Sequence, residues 1–232
     1  MKKKNPNEVK KPNKVTKKWR GVEEMKKYLV PGVIVLTVLI ILAVILPCVG
    51  KKFCTSSLRS NATLDVIHNR KSVRSYIDKP VTEQDLNTLL KAGMAAPTAV
   101  DKRPWAFVAI TDKEVLAGLA NGLPYGRMLN TAGAAIVVCG VLDKALPGVA
   151  REFWIQDCSA ATENILLAAE SLKLGAVWIG VYPIAGNIHH VRTTLSMPED
   201  VIPLNILSIG YPTGDEKPKD KFDEANIHWD KW

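Results

Sequence analysis

Residues 152–182, "EFWIQDCSAATENILLAAESLKLGAVWIGVY", change their hydrophobic period part-way along. From Ile155 through Cys158, Ala161, Ile165, Ala168, Ala169 and Leu172, apolar residues recur at helical spacing, and Gly175 is placed to end the helix. The run "AVWIGVY" (176–182) that follows has strand character. The helix is long and alanine-rich. Small side chains let helices approach closely, which marks it as a central helix or a dimer seam.

The elements on either side complete the pattern. "PWAFVAIT" (104–111), "AAIVVCGVL" (134–142) and "IPLNILSIGYP" (202–212) read as three further strands. The second is almost wholly apolar, as expected of a strand covered on both faces. "VTEQDLNTLLKAGMAAP" (81–97) is a helix with Thr82 as its cap and Asp85 completing a capping-box pattern. Leu86, Leu89 and Leu90 form its stripe and Pro97 ends it. Short helices are expected at "LDVIHN" (64–69) and, after a Gly-Asn turn, at "VRTTLSMP" (191–198). Residues 112–133, with "NGLPYGRML", are a short connection. There are no internal repeats. Helices and strands mix without regular βαβ alternation, so the fold class is α+β.

The 232 residues carry a formal charge of +8. Residues 1–28 hold eleven of the Lys and Arg residues and only Glu8, Glu23 and Glu24 as acids. The remainder is balanced, so a basic footprint for nucleic acid is absent from the domain. Leu29 to Val49 is free of charge and long enough for a helix to span a bilayer. The expected organisation is a basic tail (1–28), a transmembrane anchor (29–49), a polar linker (50–62) and a domain (63–232). The excess of cations before the apolar run predicts a single-pass protein with its domain on the non-cytoplasmic side. Two variants stay open: a start at Met25, and a lipoprotein-like "ILPC" ending at Cys48. The four cysteines form no CxxC, Cys139 and Cys158 read as core residues, and no cluster has metal-ligand spacing.

The chemistry turns on "RKSVRSY" (70–76), where three cations and two serine hydroxyls meet at a bend. One reading is a solvated turn. The other is a phosphate site, built from arginine forks, a hydroxyl and free backbone N–H groups. Three further segments bear on the choice: "AAPTAVDKRPWAF" (95–107), "DCSAATENILLAAESLKLGAVWIGVYP" (157–183) and "YPTGDEKPKDKFDEANIHW" (211–229).

In this order and spacing the four segments resemble the nitroreductase family of FMN-dependent oxidoreductases, over residues 63–232. The resemblance implies a mixed sheet flanked by helices, in a homodimer with an exchanged C-terminal arm. The polar tail ending in Trp229 and Trp232 suits such an arm. It also implies FMN as cofactor and NADH or NADPH as donor, with hydride passed on to a small acceptor such as a nitroaromatic or a quinone. Arg70 and Ser72 are implied to hold the phosphate and ribityl chain, with Lys71 nearby and Lys219 and Lys221 completing the phosphate site. Arg74 is implied beside the pyrimidine edge, where a cation stabilises reduced flavin. Ile179 and Gly180 are implied to approach the ring with main-chain atoms, and Pro97, Thr98 and Ala99 to reach the flavin of the other subunit. No side chain is implied to act as nucleophile, acid or base.

Asp101 and Arg103 depart from the family pattern, which has Asn and Gln there. If they pair with each other, the flavin edge loses an amide contact but keeps its shape. If Asp101 faces the flavin, it disfavours the anionic reduced form. The alternative function is a flavin-binding or sensory module with little turnover. A domain that has lost flavin altogether is a third reading, against which the four matching segments weigh.

Overall fold

The computed structural model describes residues 61–232, which lie within one compact unit, Ser60–Trp232. The tail and anchor expected at 1–28 and 29–49, and all but the end of the linker at 50–62, fall outside the described residues. The expectation of a single-pass membrane protein is corrected. Among the described residues no helix is long and apolar enough to cross a membrane.

The chain runs α1 (Ala62–Asn69), α2 (Glu83–Met94), β1 (Trp105–Ile110), α3 (Lys113–Gly122), β2 (Ala134–Val141), α4 (Phe153–Ser171), β3 (Gly175–Gly180), α5 (Ala185–Thr194) and β4 (Val201–Gly210). The strands form one sheet in the order β1-β2-β4-β3, with every neighbouring pair antiparallel. A parallel element is supplied by the bridge between Ser72 and Ala176. This is the α+β architecture expected.

β2 shows why the sheet lies in the middle. Ala134 to Cys139 are all fully buried, and they alternate between two cores. Ala134, Ile136 and Val138 face α2 and α4, where Leu89 and Ile165 are fully buried. Ala135, Val137 and Cys139 face α3 and α5, where Leu116, Leu119 and Val191 are fully buried. Side chains alternate along a strand, so an unbroken apolar run is the signature of helices on both faces. Each fully buried leucine or isoleucine contributes about 1.5–3 kcal/mol relative to exposure.

α2 begins as expected. The Thr82 hydroxyl accepts from the Asp85 N–H at 3.0 Å and donates to the Asp85 carboxylate at 2.7 Å. Three local expectations are corrected. Residues 113–122 form a helix, not a bare connection, capped by Asp112, whose carboxylate accepts from the N–H of Glu114. The helix expected at 191–198 occupies 185–194, so Gly186 and Asn187 lie inside it rather than in a turn. α4 ends not at Gly175 but at Ser171, and Lys173, just beyond its cap Leu172, has a φ of +61° in the left-handed region. The Leu174 N–H then bonds back to the Ala169 carbonyl at 2.9 Å, closing a Schellman-type end.

Gly175 serves another purpose. A Cβ there would lie 2.5 Å from Cγ1 of Val73. Its cross-strand partner is Gly210, where a Cβ would lie 2.7 Å from the Tyr76 ring. Two facing glycines thus lower the sheet surface so that residues 73–76 can lie on it. The Val73 N–H bonds to the Ala176 carbonyl at 3.0 Å, and the Tyr76 hydroxyl donates to the Val73 and Ser208 carbonyls. The stretch "RKSVRSY" is therefore strapped across the end of β3 and β4.

Candidate functional site

This strapping aims the charged side chains of the stretch outward while Val73 and Tyr76 face the core. Arg70, Lys71, Ser72 and Arg74 line a cavity of about 340 Å³, and Lys219 and Lys221 close it from the C-terminal segment together with Glu216 and Lys217. Six cations thus surround a single carboxylate. Two of the cations are steadied from α4. Arg70 Nε lies 3.3 Å from Glu163, and Lys71 Nζ donates to both oxygens of Glu170 at 3.1 Å. No acid among the described residues pairs with Lys219 or Lys221.

Glu216 brings the C-terminal segment into register. Its Oε1 accepts from the N–H groups of Arg74 at 2.8 Å and Ser75 at 3.2 Å. Its Oε2 is buried without a hydrogen-bond partner among the described residues. A buried acceptor left open costs free energy unless something donates to it. Glu216 was not singled out from the sequence, because its role depends on a fold-back across more than a hundred residues.

Arg74 also belongs to a second cavity, of about 530 Å³. β3 forms one side of it, with Ile179 and Gly180, and the stretch Pro124 to Met128 forms another. No atom lies within 4 Å of where a Cβ would stand at Gly180, and its backbone has no need of glycine's freedom. That glycine keeps space open rather than relieving a clash. Tyr125 and Arg127 line the same cavity and were not read from the sequence as site residues.

Pro97, Thr98, Ala99, Asp101 and Arg103 line neither cavity. They form a separate loop held on α4. The Ala99 N–H donates to the buried Asp157 carboxylate at 2.9 Å, and the Arg103 N–H donates to the Thr98 hydroxyl at 3.1 Å. Val100, Asp101 and Arg103 all have φ near +50°, an unfavourable region for non-glycine residues. Asp101 and Arg103 do pair with each other, with Nε to Oδ1 at 2.7 Å and Nη2 to Oδ2 at 2.6 Å. The guanidinium holds the Asp101 carboxyl below the usual carboxylate range. No His, Cys, Asp and Glu cluster suited to a metal occurs among the described residues.

The two cavities, sharing Arg74, offer a donor-rich cationic end and a second hollow with an unfilled glycine in its lining. That arrangement fits an elongated ligand with a phosphate at one end and a planar ring at the other.

The model of the nitroreductase family matches residues 67–123 and 120–211. A protein of Methanothermobacter thermautotrophicus, provisionally described as an NADH dehydrogenase/NAD(P)H nitroreductase, is 44% identical over 171 residues, covering 73% of this chain and 87% of that one. A protein of Archaeoglobus fulgidus with the same description is 42% identical over 173 residues, covering 73% of this chain and 98% of its own. That relative consists of the domain and has almost no length left for an anchor, which adds to the membrane correction. The crystal structure of a protein from Parabacteroides distasonis, again provisionally described in those words, superposes with a TM-score of 0.71. It is 47% identical and covers 75% of this chain and 100% of that one. An FMN-dependent nitroreductase from Clostridium difficile superposes at 0.67, with 29% identity over 73% of this chain and 99% of its own.

Proposed function

We propose, from the premise that this chain belongs to the nitroreductase family, that it is an FMN-dependent oxidoreductase taking electrons from NADH or NADPH. The observation that carries this reading is the pair of cavities sharing Arg74, cationic at one end and open over Gly180 at the other. Bound FMN supplies two-electron chemistry between a nicotinamide donor and a small acceptor, for which we propose a nitroaromatic or a quinone.

The chain's own residues do the holding and orienting. Arg70, Ser72, Lys219 and Lys221 bind the phosphate, with Lys71 at their side. A planar guanidinium suits a phosphate bidentately, and lysines add point charge. Glu163 and Glu170 hold Arg70 and Lys71 in place, so less side-chain entropy is lost on binding. Arg74 sits at the junction of the cavities, where its charge stabilises negative charge gathered at the pyrimidine edge of the ring. The Ile179 and Gly180 main chain borders the ring. Glu216 ties the C-terminal segment to the backbone of Arg74 and Ser75, which keeps Lys219 and Lys221 beside the phosphate end.

The remaining assignments concern a second copy. We assign Pro97, Thr98 and Ala99, with the Asp101–Arg103 pair beside them, to the flavin of the other subunit in a homodimer. Their loop is strained, anchored on α4 and outside both cavities of its own chain, which supports that role. The C-terminal arm beyond Gly210 leaves Phe222, Trp229 and Trp232 largely exposed, at 77%, 84% and 101%. Such aromatic surface fits an arm that lies on a partner. We assign all of this to one domain, residues 63–232.

The experiment is the absorption spectrum of the purified protein, with the released chromophore identified, beside the double variant Arg70→Ala with Lys221→Ala. Flavin bands that the variant loses, with its fold kept, are expected. Unchanged flavin content in the variant sinks the phosphate assignment. Oxidation of NADH or NADPH in the presence of a quinone then separates an enzyme from a flavin-storing or sensory module.

A further inference from the structure

The cavity over β3 holds more positive charge than the ring edge requires. Arg74 and Arg127 both line it, and no carboxylate does. Arg127 is exposed and makes no side-chain hydrogen bond or ion pair among the described residues. The contrast with the cavity of about 610 Å³ along α5 is instructive. There Arg192 donates to the Pro198 carbonyl at 3.0 Å and Glu199 shares the lining, so that charge is answered within the chain. In the β3 cavity the second guanidinium is left unanswered.

Its neighbours define what would answer it. Tyr125, two residues before Arg127, is 83% exposed and lines the same wall, and Trp178 stands on the β3 side. An exposed tyrosine ring is an available platform for a flat ring. Arg127 opens the short turn Arg127–Asn130, whose Met128 and Leu129 are buried, so its backbone is fixed to the core while its side chain is unpaired among the described residues. The wall thus combines an aromatic face and an anchored guanidinium fork. A guanidinium fork recognises a carboxylate bidentately.

We propose that Arg127 and Tyr125 form an acceptor subsite that selects planar aromatic molecules bearing a carboxylate. The inference rests on the flavin reading of the same cavity and adds the class of acceptor to it. With a flat cofactor beside Gly180, Tyr125 and Arg127 on the facing stretch are among the lining groups left to meet an acceptor. A dinucleotide donor fits the position less well, because its phosphates are set off from the nicotinamide by a ribose.

The test uses the full chain. Benzoate and benzamide are titrated calorimetrically into the wild type and Arg127→Gln, since the two ligands differ in charge but little in shape. The ratio of benzoate to benzamide affinity is expected to fall about tenfold in the variant, the size of one charge-assisted hydrogen bond. Tyr125→Ala is expected to weaken both ligands together and leave the ratio unchanged. With flavin bound, the KM ratio for 4-nitrobenzoate against 4-nitrobenzamide follows the binding ratio. An unchanged ratio in Arg127→Gln overturns the subsite. So does a variant that alters only the KM for NADH or NADPH, because the arginine then serves the donor. A protein that takes up no FMN ends the cofactor reading, whereas the benzoate to benzamide ratio is readable on that same protein and decides the subsite independently.

Discussion

Gly175 and Gly210 face each other as partners at the end of the β3–β4 ladder, and each lies beneath one residue of the same stretch, Val73 over the first and Tyr76 over the second. The charged bend that lines the cationic cavity therefore stands on a floor made of missing side chains.

Gly175→Ala tests that floor. The added carbon would sit 2.5 Å from Val73 Cγ1 and 2.7 Å from its Cβ, and Val73 is only 1% exposed. Overpacking of this kind costs about 1–3 kcal/mol. A fall in Tm of about 2–10 °C is expected by thermal unfolding. FMN retention falls with it, because Ser72 and Arg74 move with Val73. A variant with wild-type Tm and full flavin content contradicts this account of the bend.

Gly180→Ala should separate stability from binding. Nothing stands within 4 Å of the new carbon, so the flavin-free protein is expected to unfold within about 0.5 kcal/mol of wild type. The same methyl intrudes on the space assigned to the ring, and FMN affinity is expected to fall about tenfold or more. Fluorescence titration of the released and re-added flavin checks this. Equal affinity would mean that the ring lies elsewhere.

The Asp101–Arg103 pair is expected to hold through the neutral and mildly acidic range. Arg103 lowers the Asp101 pKa through its hydrogen bonds first and its charge second. A depressed carboxylate pKa stabilises the native state above the unfolded value of about 3.9, and that gain is lost as pH falls through the lowered native value. An NMR titration of the Asp101 side-chain carbonyl should therefore have its midpoint below about 3.9. Arg103→Gln should return it to the ordinary range. An unshifted wild-type midpoint means that the pair is open in solution.

The buried thiols make the opposite prediction at high pH. Burial pushes the Cys139 thiol up to about 12 and raises Cys158 further, with Cys139 and Asp157 adding to the latter. Unfolded cysteines ionise near 8.5, so the unfolded state sheds protons first. Stability should fall above that pH by about 1.4 kcal/mol per unit for each thiol, until the native value is passed. Urea midpoints from pH 7 to 10 should fall less steeply in Cys139→Ala with Cys158→Ala than in the wild type. Parallel profiles would show that these thiols are not protected by the core.

The parts legible in the sequence are those whose signal is local. The unbroken apolar run at 134–139 announced a strand between two helical layers, and Thr82 with Asp85 announced a helix start. α3 was missed because its apolar residues Val115, Leu116 and Leu119 are few and are interspersed with Gly118 and Gly122. α5 was misplaced because Gly186 and Asn187 have turn chemistry, which burial of Asn187 and Val191 overrides. Gly175 was identified as a punctuation mark but given the wrong reason, since Val73 lies a hundred residues away in the chain. The cations of "RKSVRSY" were visible at once. Glu216, Tyr125 and Arg127 were not, because each acquires its meaning only from a distant segment brought beside it.

α4 carries Asp157, Glu163 and Glu170 on one uninterrupted helix of 19 residues. The first holds the strained loop, and the other two hold Arg70 and Lys71. At 1.5 Å per residue these anchors stand about 9 and about 20 Å from Asp157. α4 is in effect a measuring rod, fixing how far the strained loop stands from the cations of the cavity. Inserting a single residue between Asp157 and Glu163 would swing the two ends about 100° out of phase. The spacing between the loop and the cations would then be lost, though none of the residues at either end had changed.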